Sequence, residues 1–211
     1  MATIQLSKYK RLFIGLFLAF IVATIIGTIS HELGHYFVAK LFGYKAEINY
    51  AYTYWTPDNP DEIVPLDNVF FITLGGPMQS MLTGTMGLIL LYIFRNLFDI
   101  MHRLTFGQWT IIFLSLFWLR PTANLFTWIV GYILTGQFSS NGDEVELAKY
   151  LQLPNWTILT LTAIIGIIVL TVIVFKFIPT KQRMTFLISG LTGGITGYFL
   201  WLMLLGKYIM P

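Results

Sequence analysis

The 211-residue chain has no cysteine, little charge and only three histidines. Without cysteine there are no disulfides and no thiolate ligands for zinc, iron–sulfur or redox chemistry. Charged residues make up 11% of the chain, against about 25% in an ordinary soluble domain. No polar stretch is long enough for a separate soluble domain; the longest, Gly43 to Asn68, has 26 residues. The net charge is only +3, and the basic residues sit beside apolar runs. That pattern reads as membrane topology, with no nucleic acid as a partner. The rest is apolar: 56% hydrophobic residues and a mean hydropathy of +0.71. These features predict an integral, multi-pass membrane protein whose single domain covers residues 1–211.

The predicted fold is all-α, with five spanning segments. They run from about Leu12 to Phe42, Val69 to Phe94, Phe106 to Thr135, Thr157 to Phe177 and Thr185 to Leu205. The first would be about 46 Å long as one helix, more than the ~30 Å hydrocarbon core, so it tilts or projects. Its apolar run exceeds that of a signal peptide and leads into histidines instead of a cleavage site. Lys8, Lys10, Arg11, Arg95, Arg103, Lys176, Lys181 and Arg183 fall on one side, against Lys40, Lys45, Lys149 and Lys207 on the other. The richer side is expected to be cytoplasmic, which puts the N-terminus inside and the C-terminus outside. After the first segment, Tyr44, Ala46, Ile48, Tyr50, Tyr52 and Tyr54 alternate with more polar residues, a strand period. A turn at Pro57-Asp58-Asn59-Pro60 follows. This predicts a small interfacial hairpin, or an edge strand able to pair with an unwound substrate.

The uncharged run Leu12–Ser30 ends in His31-Glu32-Leu33-Gly34-His35. On a helix this spacing sets two imidazoles one turn apart on one face, with a carboxylate beside them. That arrangement suits a zinc ion with a water, and a base next to the water. Ionisable side chains cost about 2.5–3.5 kcal/mol each near the bilayer centre, so chance explains the motif poorly. His31 and His35 are read as metal ligands and Glu32 as general base, then acid. Zinc needs a third protein ligand. His102 falls on the opposite side by topology, which leaves a carboxylate. Asp143 is the first choice, with Glu144, Glu146 and Asp67 as alternatives. Asn141 and Asp143 also suit the N-cap of a short amphipathic helix reaching Leu153.

Other residues have two readings. Arg120, before Pro121 in the third segment, and Asn124 one turn on either line the catalytic cavity or make a structural ion pair or interior contact. Gly76, Ser80 and Gly84, Gly190 and Gly194, and Gly193 and Gly197 have the spacing that lets membrane helices pack closely. Gly27, one turn before His31, leaves room for a neighbouring helix. Trp55, Trp156 and Trp201 read as interfacial or lipid anchors.

With these residues in view, the chain resembles the site-2 protease family of intramembrane zinc metalloproteases over about residues 12–155. Besides the histidine motif, Gly75-Gly76-Pro77-Met78-Gln79-Ser80 looks like the family's small-Gly-Pro-x-x-Asn segment. Asn141-Gly142-Asp143 resembles its Asn-Pro-Asp-Gly segment, whose aspartate is the third zinc ligand. Ser80 stands at the usual asparagine, with Gln79 beside it; Gly142 replaces the proline and Glu144 the glycine. No peptide-binding domain is inserted. The resemblance implies a catalytic core at about 12–155, with additional helices at about 157–206, that cuts peptide bonds in or near membrane segments of substrate proteins. The motif placement puts the site nearer the non-cytoplasmic face, whereas family members often carry it nearer the cytosol. One alternative is another zinc protease resembling prenyl-protein proteases, with Glu144 or Glu146 as third ligand. The other is a non-catalytic metal-binding membrane protein, either a transporter or an inactive homologue.

Overall fold

A computed structural model describes residues 2–59, 61–98 and 103–211, with side chains described from residue 9 onward. Pro60 and His102, named above, lie outside the described residues. The chain is mostly helical, with one two-stranded antiparallel sheet. The helices are α1 (Ala2–Leu41), α2 (Leu66–Ile93), α3 (Phe106–Ser115), α4 (Leu119–Thr135), α5 (Asp143–Tyr150), α6 (Trp156–Val172), α7 (Arg183–Tyr198) and α8 (Gly206–Ile209). Among the described residues, three helical stretches are long and apolar enough to cross a membrane: Tyr9–Leu41, Trp156–Phe177 and Thr180–Ile209. The last two include π-helical ends, Ile173–Phe177 and Phe199–Leu205.

The contacts give each helix its direction. α2 runs back along α1, since His31 meets Ser80 while His35 meets Ile72. α3 and the short turn after it return along α2, where Gly87 faces Ser115 and Gly84 faces Trp118. α6 reverses again, with Gly166 against Trp118 and the Thr122 hydroxyl donating to the Ala163 carbonyl. α7 runs parallel to α1: Ser189 bonds the Phe13 carbonyl, Gly193 abuts Phe17 and Phe20, and Gly197 abuts Ile21 and Thr24. Gly27 and Gly194 have nothing near them, so the close packing expected at these two glycines is absent.

The third expected segment is not one helix. A 3-10 turn, Leu116–Trp118, separates α3 from α4. Pro121 then lies buried in the first turn of α4, where its missing N–H costs no helical bond. The hairpin also differs from expectation. β1 (Lys45–Ile48) and β2 (Thr53–Thr56) pair with Ala46 opposite Trp55 and Glu47 opposite Tyr54. The alternating run is therefore two strands joined by a turn at 49–52, and the chain bends again at Asp58 and Asn59, within the expected turn. The Asn49 side chain accepts from the Ala51 and Tyr52 amides at 2.9 Å each, so it closes the turn itself.

A buried cluster including Phe20, Ile112, Phe177 and Phe186 fills the end away from the hairpin. A smaller cluster of Ala39, Tyr44, Ala46 and Ile72 seats the hairpin on α1 and α2. Outward faces are apolar; α6 alone exposes Leu161, Ile164, Ile165, Ile167 and Ile168, a surface suited to lipid.

Candidate metal centre

His31 and His35 lie one turn apart near the end of α1, both buried. Their rings meet at 79°, and their Nε2 atoms are 3.2 Å apart. Together with Glu32 they form a buried group able to hold a metal ion, with one ligand atom from each within 4.8 Å of the others. Asp143 reaches the same point: its Oδ2 is 2.8 Å from His31 Nε2 and 3.3 Å from His35 Nε2.

The far side of each imidazole is also held. His35 Nδ1 is 2.7 Å from the Ile72 carbonyl, which can only accept, so Nδ1 carries the proton. A neutral His35 then turns a bare Nε2 lone pair toward Asp143. His31 Nδ1 meets the buried Ser80 hydroxyl at 3.1 Å. Electron-rich atoms facing one another this closely need a proton or cation between them, so the donor set fits a metal.

Glycines let the helices come this close. A Cβ on Gly76 would lie 2.6 Å from His31 Nε2 and just as close to His35 Cε1. A Cβ on Gly75 would come within 2.6 Å of the Gly34 carbonyl oxygen. The Gly75-Gly76 pair is thus where α2 presses onto the histidine face of α1.

Asp143 opens α5. The expected N-cap role is not seen at Asn141 or Asp143: Gly142 is the N-cap, at φ 125°, with no side-chain cap bond. Burial would raise the Asp143 carboxyl, but the His31 and His35 imidazoles against it outweigh that and hold it below the usual carboxylate range. The other carboxylates are engaged elsewhere. Glu144 accepts from Asn124 Nδ2 at 3.0 Å, and burial, with Asp143 beside it, pushes its carboxyl up. Glu146 pairs with Lys149 at 2.7 Å, and Asp67 accepts from the Tyr150 hydroxyl.

Glu32 faces a cavity of about 540 Å³ lined also by Thr53, Arg120, Asn124, Asn141 and Asp143. Arg120 Nη2 is 3.8 Å from Glu32 Oε1, and Arg120 Nε is buried with no hydrogen-bond partner among the described residues. Asn124 and Asn141 line the cavity without touching the histidines. Gln79 turns away from the metal face and donates to the Ser30 and Thr83 hydroxyls. One contact escaped the sequence reading: Thr53 Oγ1 donates to the Glu32 carbonyl at 2.8 Å and to Glu32 Oε2 at 3.2 Å. Thr53 is an ordinary polar position in an alternating strand, and no pattern distinguishes it. Trp201, expected as an anchor, is instead buried, and Trp55 stacks on Tyr44 at 5.3 Å; Trp156 is exposed. Compared with family models, curated proteins and solved structures, the chain matches none.

Proposed function

We propose that this chain is an intramembrane zinc metalloprotease of the site-2 protease kind, cutting peptide bonds in or near membrane segments of other proteins. The carrying observation is the convergence of His31 Nε2, His35 Nε2 and Asp143 Oδ2 beside Glu32, at the end of an apolar helix. Zinc fits this set: bonds of about 2.0–2.2 Å in a tetrahedron space the ligand atoms about 3.3–3.5 Å apart. Two of the three edges, 3.2 and 3.3 Å, lie at or within about 0.1 Å of that range.

Bound zinc supplies Lewis acidity, which polarises a peptide carbonyl and brings the pKa of a water towards about 7. Glu32 takes the water's proton and passes it to the leaving amine. The cavity gives water a route to Glu32 within an otherwise apolar bundle. A helical substrate hides its carbonyls in hydrogen bonds, so it must unwind before Glu32 can act. β2 offers an extended edge beside Glu32 for such a segment.

The alternating helix directions, with α7 parallel to α1, support five crossings, α2 and α3–α4 joining the three long apolar stretches. With the basic residues cytoplasmic, the metal end then faces the other side. The decisive experiment replaces Glu32 with glutamine. We expect retained zinc and a loss of model-substrate cleavage of about 10²–10⁴-fold, the usual worth of a general base. Unchanged cleavage rejects the mechanism.

A further inference from the structure

The C-terminal helix reaches the base through the hairpin. Trp201 is buried in the π-helical stretch Phe199–Leu205, and its indole N–H donates to the Tyr50 carbonyl at 2.7 Å. The Tyr50 amide donates to the Met210 carbonyl at 2.9 Å. Gly206 lies so close to Tyr50 that a Cβ there would be 2.8 Å from the Tyr50 Cβ. Both polar backbone groups of one turn residue are therefore held by the chain's last helical stretch. Three residues later, the Thr53 hydroxyl shares its single hydrogen between the carbonyl and carboxylate of Glu32.

We propose that Trp201 and Thr53 are positioning residues: the C-terminal helix braces the hairpin turn, and the braced hairpin aims the Glu32 carboxylate into the cavity. Thr53 fixes one carboxylate oxygen from the hairpin, while Arg120 stands 3.8 Å from the other on the α4 wall. A carboxylate gripped on one oxygen only would swing. The hairpin has only two short strands, and a lone two-stranded sheet is marginal by itself, so beyond its seat on α1 and α2 it draws on what holds its turn from outside. A π-helical stretch is often found at functional sites; here it presents Trp201 and Gly206 to the same residue. This inference rests on the reading of Glu32 as base.

The test uses the full chain in detergent or liposomes with a model membrane-segment substrate. Thr53→Val keeps the shape and removes the hydroxyl, whereas Thr53→Ser keeps the hydroxyl. Trp201→Phe removes the indole donor together with part of the buried ring, and Gly206→Ala pushes on Tyr50 should Trp201→Phe fail to fold. We expect Thr53→Val and Trp201→Phe to lower kcat by about 10–100-fold, the range for a misplaced catalytic group, with KM and bound zinc unchanged. Thr53→Ser should retain most of the rate. The double variant should be no slower than Thr53→Val, because both act along one route. Amide hydrogen exchange across residues 45–56 should quicken in Trp201→Phe or Gly206→Ala. Unchanged exchange there, a wild-type kcat in Thr53→Val, or fully additive losses would each overturn the brace. Quickened exchange in a chain that binds zinc but never cleaves would instead reject the protease reading and leave the mechanical link standing.

Discussion

Ser80 and Gly76 bear on the His31 and His35 imidazoles from behind and beside them. Ser80 has one described polar partner, His31 Nδ1 at 3.1 Å, and it is buried. Removing such a partner from a ligating imidazole typically costs 10–100-fold in metal affinity. Ser80→Ala should weaken zinc binding by about that factor, read by competition with a chromogenic chelator, and an unchanged affinity would mean that His31 is oriented by its helix alone. Gly76→Ala is more severe. Its methyl would lie 2.6 Å from His31 Nε2, inside the volume the ligands need, so the purified variant should carry almost no zinc while remaining folded. At this scale the sequence was informative. His31, Glu32 and His35 follow from residue type and spacing, whereas Asp143 is only the first of four carboxylates that topology offers; the structure brings His31, Glu32, His35 and Asp143 together. Ser80 looked like a departure from the resembled pattern but bonds a ligand. Thr53 was illegible because its role depends on where a turn falls, and Asn49, which makes that turn, reads in sequence as one more polar residue of a strand.

Among the elements, the α1–α2 contact governs the site. A methyl on Gly34 would sit 2.7 Å from Gln79 Cβ and 2.8 Å from the Gly75 carbonyl carbon. Neither neighbour can yield without moving a helix. Gly34→Ala should therefore cost about 1–3 kcal/mol, as overpacking does, seen as a lower midpoint of thermal unfolding in detergent. It should also reduce zinc occupancy, since Ile72, Gly76 and Ser80 retreat together with α2. The small-residue spacing at Gly76 and Ser80 marks a packed face correctly, yet Gly194, of the same spacing, and Gly27, one turn before His31, face open space. Periodicity reports which residues share a face; it carries no information on which face meets a neighbour. The 3-10 turn before α4 was hidden for a similar reason: Pro121 marks the place, but the break depends on α2 pressing Gly87 against Ser115 and Gly84 against Trp118.

For the whole molecule, three stretches carry enough apolar length to cross a membrane, and the five-crossing arrangement makes a sharp forecast. The chain has no cysteine, so single cysteines report topology against an empty background. Cysteines placed at Arg103 and Lys181 should react with an impermeant maleimide from one side of sealed vesicles, and those at Asp58 and Lys207 from the other. Labelling of all four from one side would reject the five crossings. The apolar runs announce the helices and the alternation at 44–54 the small hairpin, whereas the joining of the C-terminus to that hairpin, through Trp201 and Tyr50, depends on three-dimensional closure that no local pattern encodes.

The order in which the ligands leave the ribosome gives the centre a built-in delay. His31 and Asp143 are 112 residues apart, with α2, α3 and α4 between them. A nascent chain displays the two imidazoles and Glu32 long before the carboxylate that completes the set exists, and the hairpin's hold on Glu32 waits longer still, for Trp201. Under the proposed reading, metal capture is thereby tied to folding of the bundle, and a half-made chain lacks the carboxylate that would complete its site.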